Sequence, residues 1–338
     1  MKNIQSKSFN GVPLSILDLA PINEGEGTTQ SFKNSVQLAQ TVEDLGFHRY
    51  WLAEHHNMPG IASSATSVII GHIAGATKRI RVGAGGIMLP NHAPLVIAEQ
   101  FGTLESLYPN RIDLGLGRAP GSDQATAYAL RRTLHSSPED FPNQLDELQS
   151  YFNPEPTARV KAYPGTGLDI PIWLLGSSDF SARLAAEKGL PFAFASHFSP
   201  DYTTMALKKY RDNFKPSEVL SEPYAMVGVN IIAADTDERA KWLATSMQQQ
   251  FLSIIRGKPG MLQPPIDNVE EVWSPHELAA SEERSQSRST MVGAPDKVKQ
   301  KLASFLAETQ ANEVIINSQI FSQKDRLHSY EIVANMMD

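Results

Sequence analysis

A glutamate and two histidines follow a short apolar run in the segment 51–56, which reads WLAEHH. Side chains alternate along a strand, so Glu54 and His56 are expected on one side and His55 on the other. An imidazole can exchange protons near neutral pH, which makes His55 a candidate for proton transfer beside a cofactor. A histidine that only forms a structural hydrogen bond is the alternative. No metal site is expected, because the later strand ends supply no matching histidine or aspartate.

Glycines lie near the ends of two further apolar runs. Gly85 and Gly86 belong to the first of them. The second ends at Gly117, which is followed by Arg118. Glycine lets a flat ligand approach the backbone and lowers the steric cost of a cis peptide bond, although a simple strand bulge would also explain the glycine pair. The planar guanidinium of Arg118 has the geometry to bind a phosphate with two hydrogen bonds.

The segment Gly176-Ser177-Ser178 joins another apolar run to a predicted helix. Free backbone N–H groups at the start of a helix, together with two hydroxyl groups, are typical of a phosphate site. An ordinary helix cap would have the same sequence. With Arg118 in the same molecule, the segment predicts phosphate binding.

Eight short runs rich in Val, Ile and Leu alternate with longer stretches of helical period. The runs are residues 12–20, 47–54, 80–88, 111–117, 170–176, 190–196, 224–233 and 313–319. This order predicts an α/β fold, a (β/α)8 TIM barrel that forms one domain over residues 1–338. A doubly wound sheet is disfavoured, because no glycine-rich dinucleotide motif follows the first run. Barrel enzymes carry their chemistry at the C-terminal ends of the strands, where the candidate residues fall.

Two segments lie outside this regular pattern. Residues 256–290 are rich in proline and polar residues, and they are predicted to form an insertion that is either a lid or disordered. In the predicted helix 63–78, small residues recur at spacing four: Ser63, Ser67, Gly71 and Gly75. This stripe indicates close packing against a neighbouring helix of the same chain or, alternatively, a dimer interface.

Composition limits the partners and the compartment. The chain has 338 residues, a formal net charge of −7 and no cysteine, so neither a basic nucleic-acid-binding face nor a thiolate site is expected. The apolar stretch near the N-terminus contains Asp18 and is too short for a signal peptide or a membrane span. A cytoplasmic protein is predicted, with no nucleic acid or membrane as a partner.

These motifs together resemble the flavin-dependent luciferase-like monooxygenases, whose archetype is the alkanal monooxygenase alpha chain of luminous bacteria. The resemblance covers most of the chain and is carried by LSILD (14–18), WLAEHH (51–56), RVGAGGIMLP (81–90), AEQ (98–100), PNRIDLGLGR (109–118) and VGAP (292–295). Luciferases have a cysteine where this chain has Gly117 and a threonine where it has Phe180. The chain is therefore more similar to uncharacterised bacterial members than to a true luciferase, and light emission is not expected.

The resemblance implies a two-component enzyme that takes reduced FMN (FMNH2) from a separate flavin reductase. Through a flavin C4a-peroxide formed with O2, the enzyme would oxygenate a small organic substrate, and it would be a homodimer. A deazaflavin-dependent oxidoreductase of the same fold and a non-catalytic flavin-binding protein are the alternatives. His55 matches the family's active-site histidine, and Glu54 matches a flavin-contact position.

The resemblance also assigns the remaining cofactor residues. A cis peptide would fall at Gly85–Gly86, and the phosphate would be bound by Arg118, Ser177 and the neighbouring residues of the segment 176–178. In luciferases the threonine at the position of Phe180 would make the third phosphate contact. In this chain Ser178 or Ser181 would make that contact instead. By position alone, Met88, Asn91 and His197 are candidates for the wall of the substrate pocket.

Overall fold

Eight parallel strands form a closed barrel in the computed structural model, which describes residues 6–119, 124–131 and 140–338. Each strand pairs with the next along the chain, and the last pairs with the first to close the ring. The predicted TIM barrel is confirmed. In ring order the strands are β2 (Val12–Asp18), β3 (Arg49–Leu52), β4 (Arg81–Met88), β5 (Ile112–Gly117), β6 (Ile172–Gly176), β7 (Phe192–Phe194), β8 (Ala225–Ala233) and β10 (Glu313–Asn317).

Two short strands lie outside the ring. β1 (Ser8–Phe9) pairs antiparallel with β2, and β9 (Thr290–Gly293) pairs parallel with β8. The sequence pattern did not predict either of them.

The described ranges contain twelve α-helices, and most of them bury apolar side chains against the barrel. They are α1 (Thr28–Leu45), α2 (Thr66–Ala76), α3 (Pro94–Leu107), α4 (Gln124–Arg131), α5 (Phe141–Phe152), α6 (Asp179–Lys188), α7 (Thr203–Asp212), α8 (Asp237–Ile255), α9 (Val269–Val272), α10 (Pro275–Gln286), α11 (Pro295–Thr309) and α12 (Gln323–Ala334). The ends of the predicted helix 123–135 lie outside the described residues. In the described ranges, every helix is too short or too polar to cross a bilayer.

The small-residue stripe of α2 packs within the chain. A Cβ atom added at Gly71 would lie 3.2 Å from Leu104 Cδ2, and one added at Gly75 would lie 2.9 Å from the hydroxyl of Tyr108. The glycines of the stripe therefore make room for α3 and for Tyr108, which follows it. Of the two interpretations of the stripe, this supports packing against a helix of the same chain. It gives no support to a dimer, and the homodimer stays a prediction.

Charged side chains fill the N-terminal half of the barrel interior. The Arg49 guanidinium contacts Asp113 on β5 at 2.8 Å and Glu313 on β10 at 2.9 Å, and Arg81 contacts Asp113 at 2.6 Å. Burial raises the pKa of Asp113, but the two guanidinium groups outweigh burial and set this pKa at about 2. The side chains of Arg49, Asp113 and Glu313 are fully buried, so they form a charged floor beneath the C-terminal half of the barrel.

The insertion 256–290 is largely ordered and contacts the rim. The Leu262 N–H donates to the Ile22 carbonyl, and the Glu24 N–H donates to the Leu262 carbonyl, each at 2.9 Å. Its helix α10 begins with a reciprocal capping box between Ser274 and Glu277. The predicted insertion is confirmed, and it contains helices α9 and α10 in place of an irregular loop.

Candidate active site

A cavity of about 250 Å³ opens at the C-terminal ends of the barrel strands. Apolar side chains form most of its wall, and Arg118 is the only charged side chain among its described lining residues. The strand ends and the loops that follow them contribute Leu17, Leu19, Trp51, Ala53, His55, Gly85, Gly86, Met88, Gly117, Arg118, Ala119, Leu175, Gly176, Ser177, Ser178, Ser181, Ala193, Phe194, Ala195, His197, Phe198, Gly228 and Ile315.

The peptide bond between Gly85 and Gly86 is cis, as the resemblance implied. The register between β4 and β5 also shifts between Ala84 and Ile87, so the strand irregularity that was the alternative is present as well. A Cβ atom at Gly85 would lie 2.8 Å from Leu17 Cδ1 and 3.2 Å from Trp51 Cβ. Leu17 and Trp51 therefore fill the space that a side chain at Gly85 would need. Gly85 and Gly86 line the cavity with their backbone, against which a flat ring system can lie.

Arg118 extends from the end of β5 over an aromatic side chain. Its guanidinium carbon lies 4.1 Å from the centroid of the Phe180 ring. Among the described residues, no carboxylate or carbonyl group accepts a hydrogen bond from this guanidinium. Stacking fixes the plane of the guanidinium, and its N–H groups have the geometry to bind an anion.

The N-terminus of α6 lies at the same rim and has no side-chain cap. Ser178 is the N-cap residue with extended backbone angles, and its hydroxyl makes no capping hydrogen bond. Ser177 and Ser178 are both exposed. A Cβ atom at Gly176 would lie 2.7 Å from Ser181 Oγ, so the turn into α6 requires a glycine there. Arg118 and the serines at the start of α6 line the same cavity. A guanidinium and the first N–H groups of a helix are both suited to a phosphate group.

His55 lines the cavity between the strand ends. Its Nδ1 atom is buried and has no hydrogen-bond partner among the described residues. Burial lowers the pKa of His55 in spite of the nearby Glu54 carboxylate, so the ring is neutral at pH 7. A neutral imidazole with an unpaired nitrogen can donate or accept one hydrogen bond from a bound molecule.

Glu54 lies behind this wall and does not line the cavity. Its carboxylate contacts His56 Nε2 at 2.8 Å and His92 Nε2 at 2.9 Å, and it accepts a hydrogen bond from the Met88 N–H at 3.1 Å. Burial raises the pKa of Glu54, but these hydrogen bonds outweigh burial and lower it. The prediction that Glu54 and His56 lie on one side and His55 on the other is confirmed. Through its hydrogen bond with the Met88 N–H, Glu54 anchors the end of β4. Its proposed contact with the cofactor stays a prediction.

The Glu54, His56 and His92 side chains have the donor chemistry of a metal site, since their ligand atoms lie within 4.8 Å of one another. Each of them is already engaged in the hydrogen bonds just described. His92 was not predicted to lie here, because this residue follows a short 3-10 turn and not a strand end.

The cavity brings together seven of the eight predicted site residues: His55, Gly85, Gly86, Arg118, Gly176, Ser177 and Ser178. Of the substrate-wall candidates, Met88 and His197 line the cavity, whereas Asn91 is buried elsewhere. The stacking role of Phe180 was not predicted, because Phe180 and Arg118 are distant in the sequence.

The sequence profile described as luciferase-like monooxygenase matches residues 12–313. The chain belongs to this family. It is 61% identical over 325 residues to the uncharacterised protein YvbT of Bacillus subtilis, with 96% of each chain covered. It is 53% identical over 328 residues to a luciferase-like monooxygenase of Escherichia coli, with 97% of each covered. As a member of this family, the chain is a flavin-dependent monooxygenase, and its resemblance to uncharacterised bacterial members is confirmed.

Other comparisons extend the family relationship. Among solved structures, apo-MsnO8 matches with a TM-score of 0.84 and 33% identity, covering 96% of this chain and 98% of the other. N-acetyl-S-alkylcysteine monooxygenase of Bacillus subtilis is 30% identical over 340 residues, which cover 96% of this chain and 98% of the relative.

More distant structural neighbours share the fold alone and use different cofactors. The oxygenating constituent of a Pseudomonas putida diketocamphane monooxygenase, solved with FMN, has a TM-score of 0.71 and 17% identity, covering 96% of this chain and 98% of the neighbour. A secondary alcohol dehydrogenase that depends on coenzyme F420 has a TM-score of 0.66 and 13% identity, covering 97% of this chain and 99% of the neighbour. The barrel thus occurs with both flavin and deazaflavin cofactors.

Proposed function

We propose that this luciferase-like monooxygenase binds reduced FMN at the barrel mouth and transfers one oxygen atom from O2 to a small organic substrate. The observation that carries the proposal is the pairing of Arg118 with the open N-terminus of α6. These two groups supply a positive charge and backbone N–H donors at one place, which is the chemistry that the phosphate of FMN requires.

The cavity also fits the ring system of FMN. Gly85 and Gly86 leave backbone exposed where a planar ring would lie, and Leu17 and Trp51 lie directly beside Gly85. The apolar wall would exclude water from the reacting face of the ring. Bound reduced FMN would supply the electrons that activate O2 for transfer of one oxygen atom.

The chain's own residues would position the reactants and control a proton. Arg118, Ser177 and the first N–H groups of α6 would bind the phosphate. His55 is neutral, and its Nδ1 has no partner in the part of the chain that the structure describes, so it would hold or move a proton at the face of the ring. Glu54 would act through β4, because it fixes the Met88 N–H near the glycine pair.

A binding comparison tests the cofactor. We expect FMN to bind more tightly than riboflavin, because riboflavin lacks the phosphate that the Arg118 site would bind. We also expect FMN to bind more tightly than coenzyme F420. Preference for coenzyme F420 would instead favour the deazaflavin alternative.

A second measurement tests turnover against simple flavin storage. Bound reduced FMN is mixed with O2 under single-turnover conditions, and its rate of oxidation is compared with that of free reduced FMN. An active site that controls the reaction with O2 changes this rate, whereas a storage protein leaves the two rates equal.

The partners of the enzyme follow from the same proposal. We propose that a separate flavin reductase supplies reduced FMN and that the enzyme acts in the cytoplasm. We also propose a homodimer. Val68 on α2 and Leu107 on α3 are exposed by 71% and 62%, and a second copy of the chain would cover them. Sedimentation of the purified protein tests the oligomeric state.

A further inference from the structure

His197 is a buried histidine without a polar partner for its ring. Its side chain belongs to the cavity wall, and the residue is 5% exposed. Neither Nδ1 nor Nε2 has a hydrogen-bond partner among the described residues. Leaving both nitrogens unpaired in a protein interior is costly, so a partner from the cavity would recover free energy.

The surroundings of His197 fix the ring in place. Its backbone N–H donates to the Gly228 carbonyl at 2.9 Å, and a Cβ atom at Gly228 would lie 2.3 Å from His197 Nδ1. The Phe198 ring lies 4.3 Å from the imidazole, and Arg284 of α10 donates a hydrogen bond to the His197 carbonyl. Gly228 thus provides space for the imidazole, and the insertion braces the segment from outside.

The position of His197 around the barrel separates it from the proposed flavin residues. The glycine pair lies on β4, and Arg118 and Ser177 follow β5 and β6. Gly228 lies on β8, which is four strands away from β4 in a ring of eight and therefore opposite to it. If the flat ring of the cofactor lies against β4, His197 faces the space on its other side.

We propose that His197 binds the polar group of the organic substrate, and that this substrate is a neutral, mostly apolar molecule with one carbonyl or comparable hydrogen-bonding group. This inference rests on the proposed function, because it assigns β4 and Arg118 to FMN.

The charge of the cavity wall argues for a neutral substrate. Among the described lining residues there is no carboxylate and no lysine, and Arg118 would be used by the phosphate. Burial and the positive charge of Arg284 lower the pKa of His197 to about 4, so its ring is uncharged at neutral pH. A neutral imidazole offers one donor and one acceptor, which suits a carbonyl or hydroxyl group and not a full charge.

The experiment uses protein saturated with oxidised FMN, which cannot turn over, and three probes of similar shape. Acetophenone carries a carbonyl group, ethylbenzene replaces it with a methylene group, and benzoate replaces it with a charged carboxylate. Their affinities are measured from the change in the FMN absorbance spectrum or by calorimetry. The wild type is compared with His197→Phe and His197→Gln, and folding is checked by circular dichroism.

We expect the wild type to bind acetophenone about fivefold more tightly than ethylbenzene, because one neutral hydrogen bond changes an affinity by about this factor. His197→Phe should remove this preference, and His197→Gln, which keeps a donor and an acceptor, should retain part of it. FMN affinity should change by less than about twofold in both variants. The matched control is His48→Phe, since Nδ1 of His48 is likewise buried and has no partner within residues 6–119, 124–131 and 140–338, but His48 does not line the cavity.

Several outcomes would overturn the inference: no saturable binding of acetophenone, tighter binding of benzoate, or an unchanged preference in both variants. A tenfold loss of FMN affinity in His197→Phe would place His197 in the cofactor site, and it would overturn the inference while leaving the FMN proposal intact. Failure of the wild type to bind FMN would contradict the proposed function itself, and the inference with it.

Discussion

The guanidinium of Arg118 stacks on the ring of Phe180, with its central carbon 4.1 Å from the ring centroid. Phe180 belongs to the first turn of α6, whose open N-terminus faces the same cavity. One aromatic side chain therefore ties the charged donor to the helix that supplies the N–H donors. Position 180 is also one of the positions at which the chain differs from luciferases, so the proposed phosphate site would differ from theirs at this residue.

Replacement of Arg118 tests the phosphate site. Arg118→Ala should weaken FMN binding by about 10- to 150-fold, because a charge-assisted hydrogen-bonded pair contributes roughly 1.5 to 3 kcal/mol. Riboflavin, which lacks the phosphate, should bind almost unchanged, and fluorescence titration measures both. Arg183→Ala on the exposed side of α6 is the matched control. Equal losses for FMN and riboflavin would place Arg118 away from the phosphate.

Replacement of Phe180 tests the stacking contact. Phe180→Leu keeps an apolar side chain but removes the ring, which contributes about 0.5 to 1 kcal/mol to orienting a partly exposed guanidinium. We expect FMN affinity to fall about two- to fivefold, with little change in the melting temperature. Phe180→Tyr should restore the wild-type affinity. If leucine binds FMN as well as phenylalanine does, the stacking plays no part in cofactor binding.

Replacement of His55 tests proton control. His55→Ala should lower the yield of oxygenated product by about a hundredfold, since a positioned acid or base contributes about 10²- to 10⁴-fold to a rate. Consumption of O2 should continue with release of hydrogen peroxide, and FMN should still bind. Oxygen electrode and peroxide assays measure the uncoupling, and His328→Ala on α12 is the exposed control. Product yield equal to that of the wild type would remove the role of His55.

The contact between the insertion and the rim depends on one glycine. A Cβ atom at Gly60 would lie 2.0 Å from the Gly260 carbonyl oxygen, whereas a Cβ atom at Gly260 would meet nothing within 4 Å. Gly60→Ala should therefore displace the insertion and speed hydrogen exchange at the Glu24 and Leu262 N–H groups, while Gly260→Ala should leave exchange unchanged. Exchange mass spectrometry distinguishes the two variants, and identical exchange in both would contradict this account.

The buried His197 ring makes stability depend on pH. Its pKa is about 4 in the folded protein and 6.5 in the unfolded chain, so the unfolded chain takes up a proton first as the pH falls. Stability is complete above pH 6.5 and is lost between pH 6.5 and 4, by about 2 kcal/mol at pH 5. Urea unfolding at pH 7.5 and pH 5 should show a smaller decrease for His197→Phe than for the wild type. The same decrease in both proteins would mean that His197 does not stay neutral.

The barrel and much of its site can be predicted from the sequence, because buried parallel strands appear as apolar runs and such barrels carry ligands at the strand ends. Gly85, Arg118 and Ser177 each follow or lie within such a run, so their common location could be inferred from strand order alone.

Other features depend on tertiary contacts that leave no local pattern. The sequence does not show that His92 meets Glu54, or that Arg49 joins two carboxylates from distant strands. The insertion looked irregular because part of its order comes from hydrogen bonds between Leu262 and the loop after β2. Its short helix α9 and the strand β9 likewise gave too little periodicity to be recognised.

Arg49 joins β3 to β5 and β10 from below the cavity and does not itself line the cavity. Ion pairs thus connect the strands at the N-terminal end of the barrel, while the cavity residues lie at the C-terminal end. Rim residues such as Phe180 and His197 take no part in the ion pairs of Arg49, so substitutions there leave this brace in place. Engineering of a new substrate range in this enzyme can accordingly begin at the loops and leave the brace untouched.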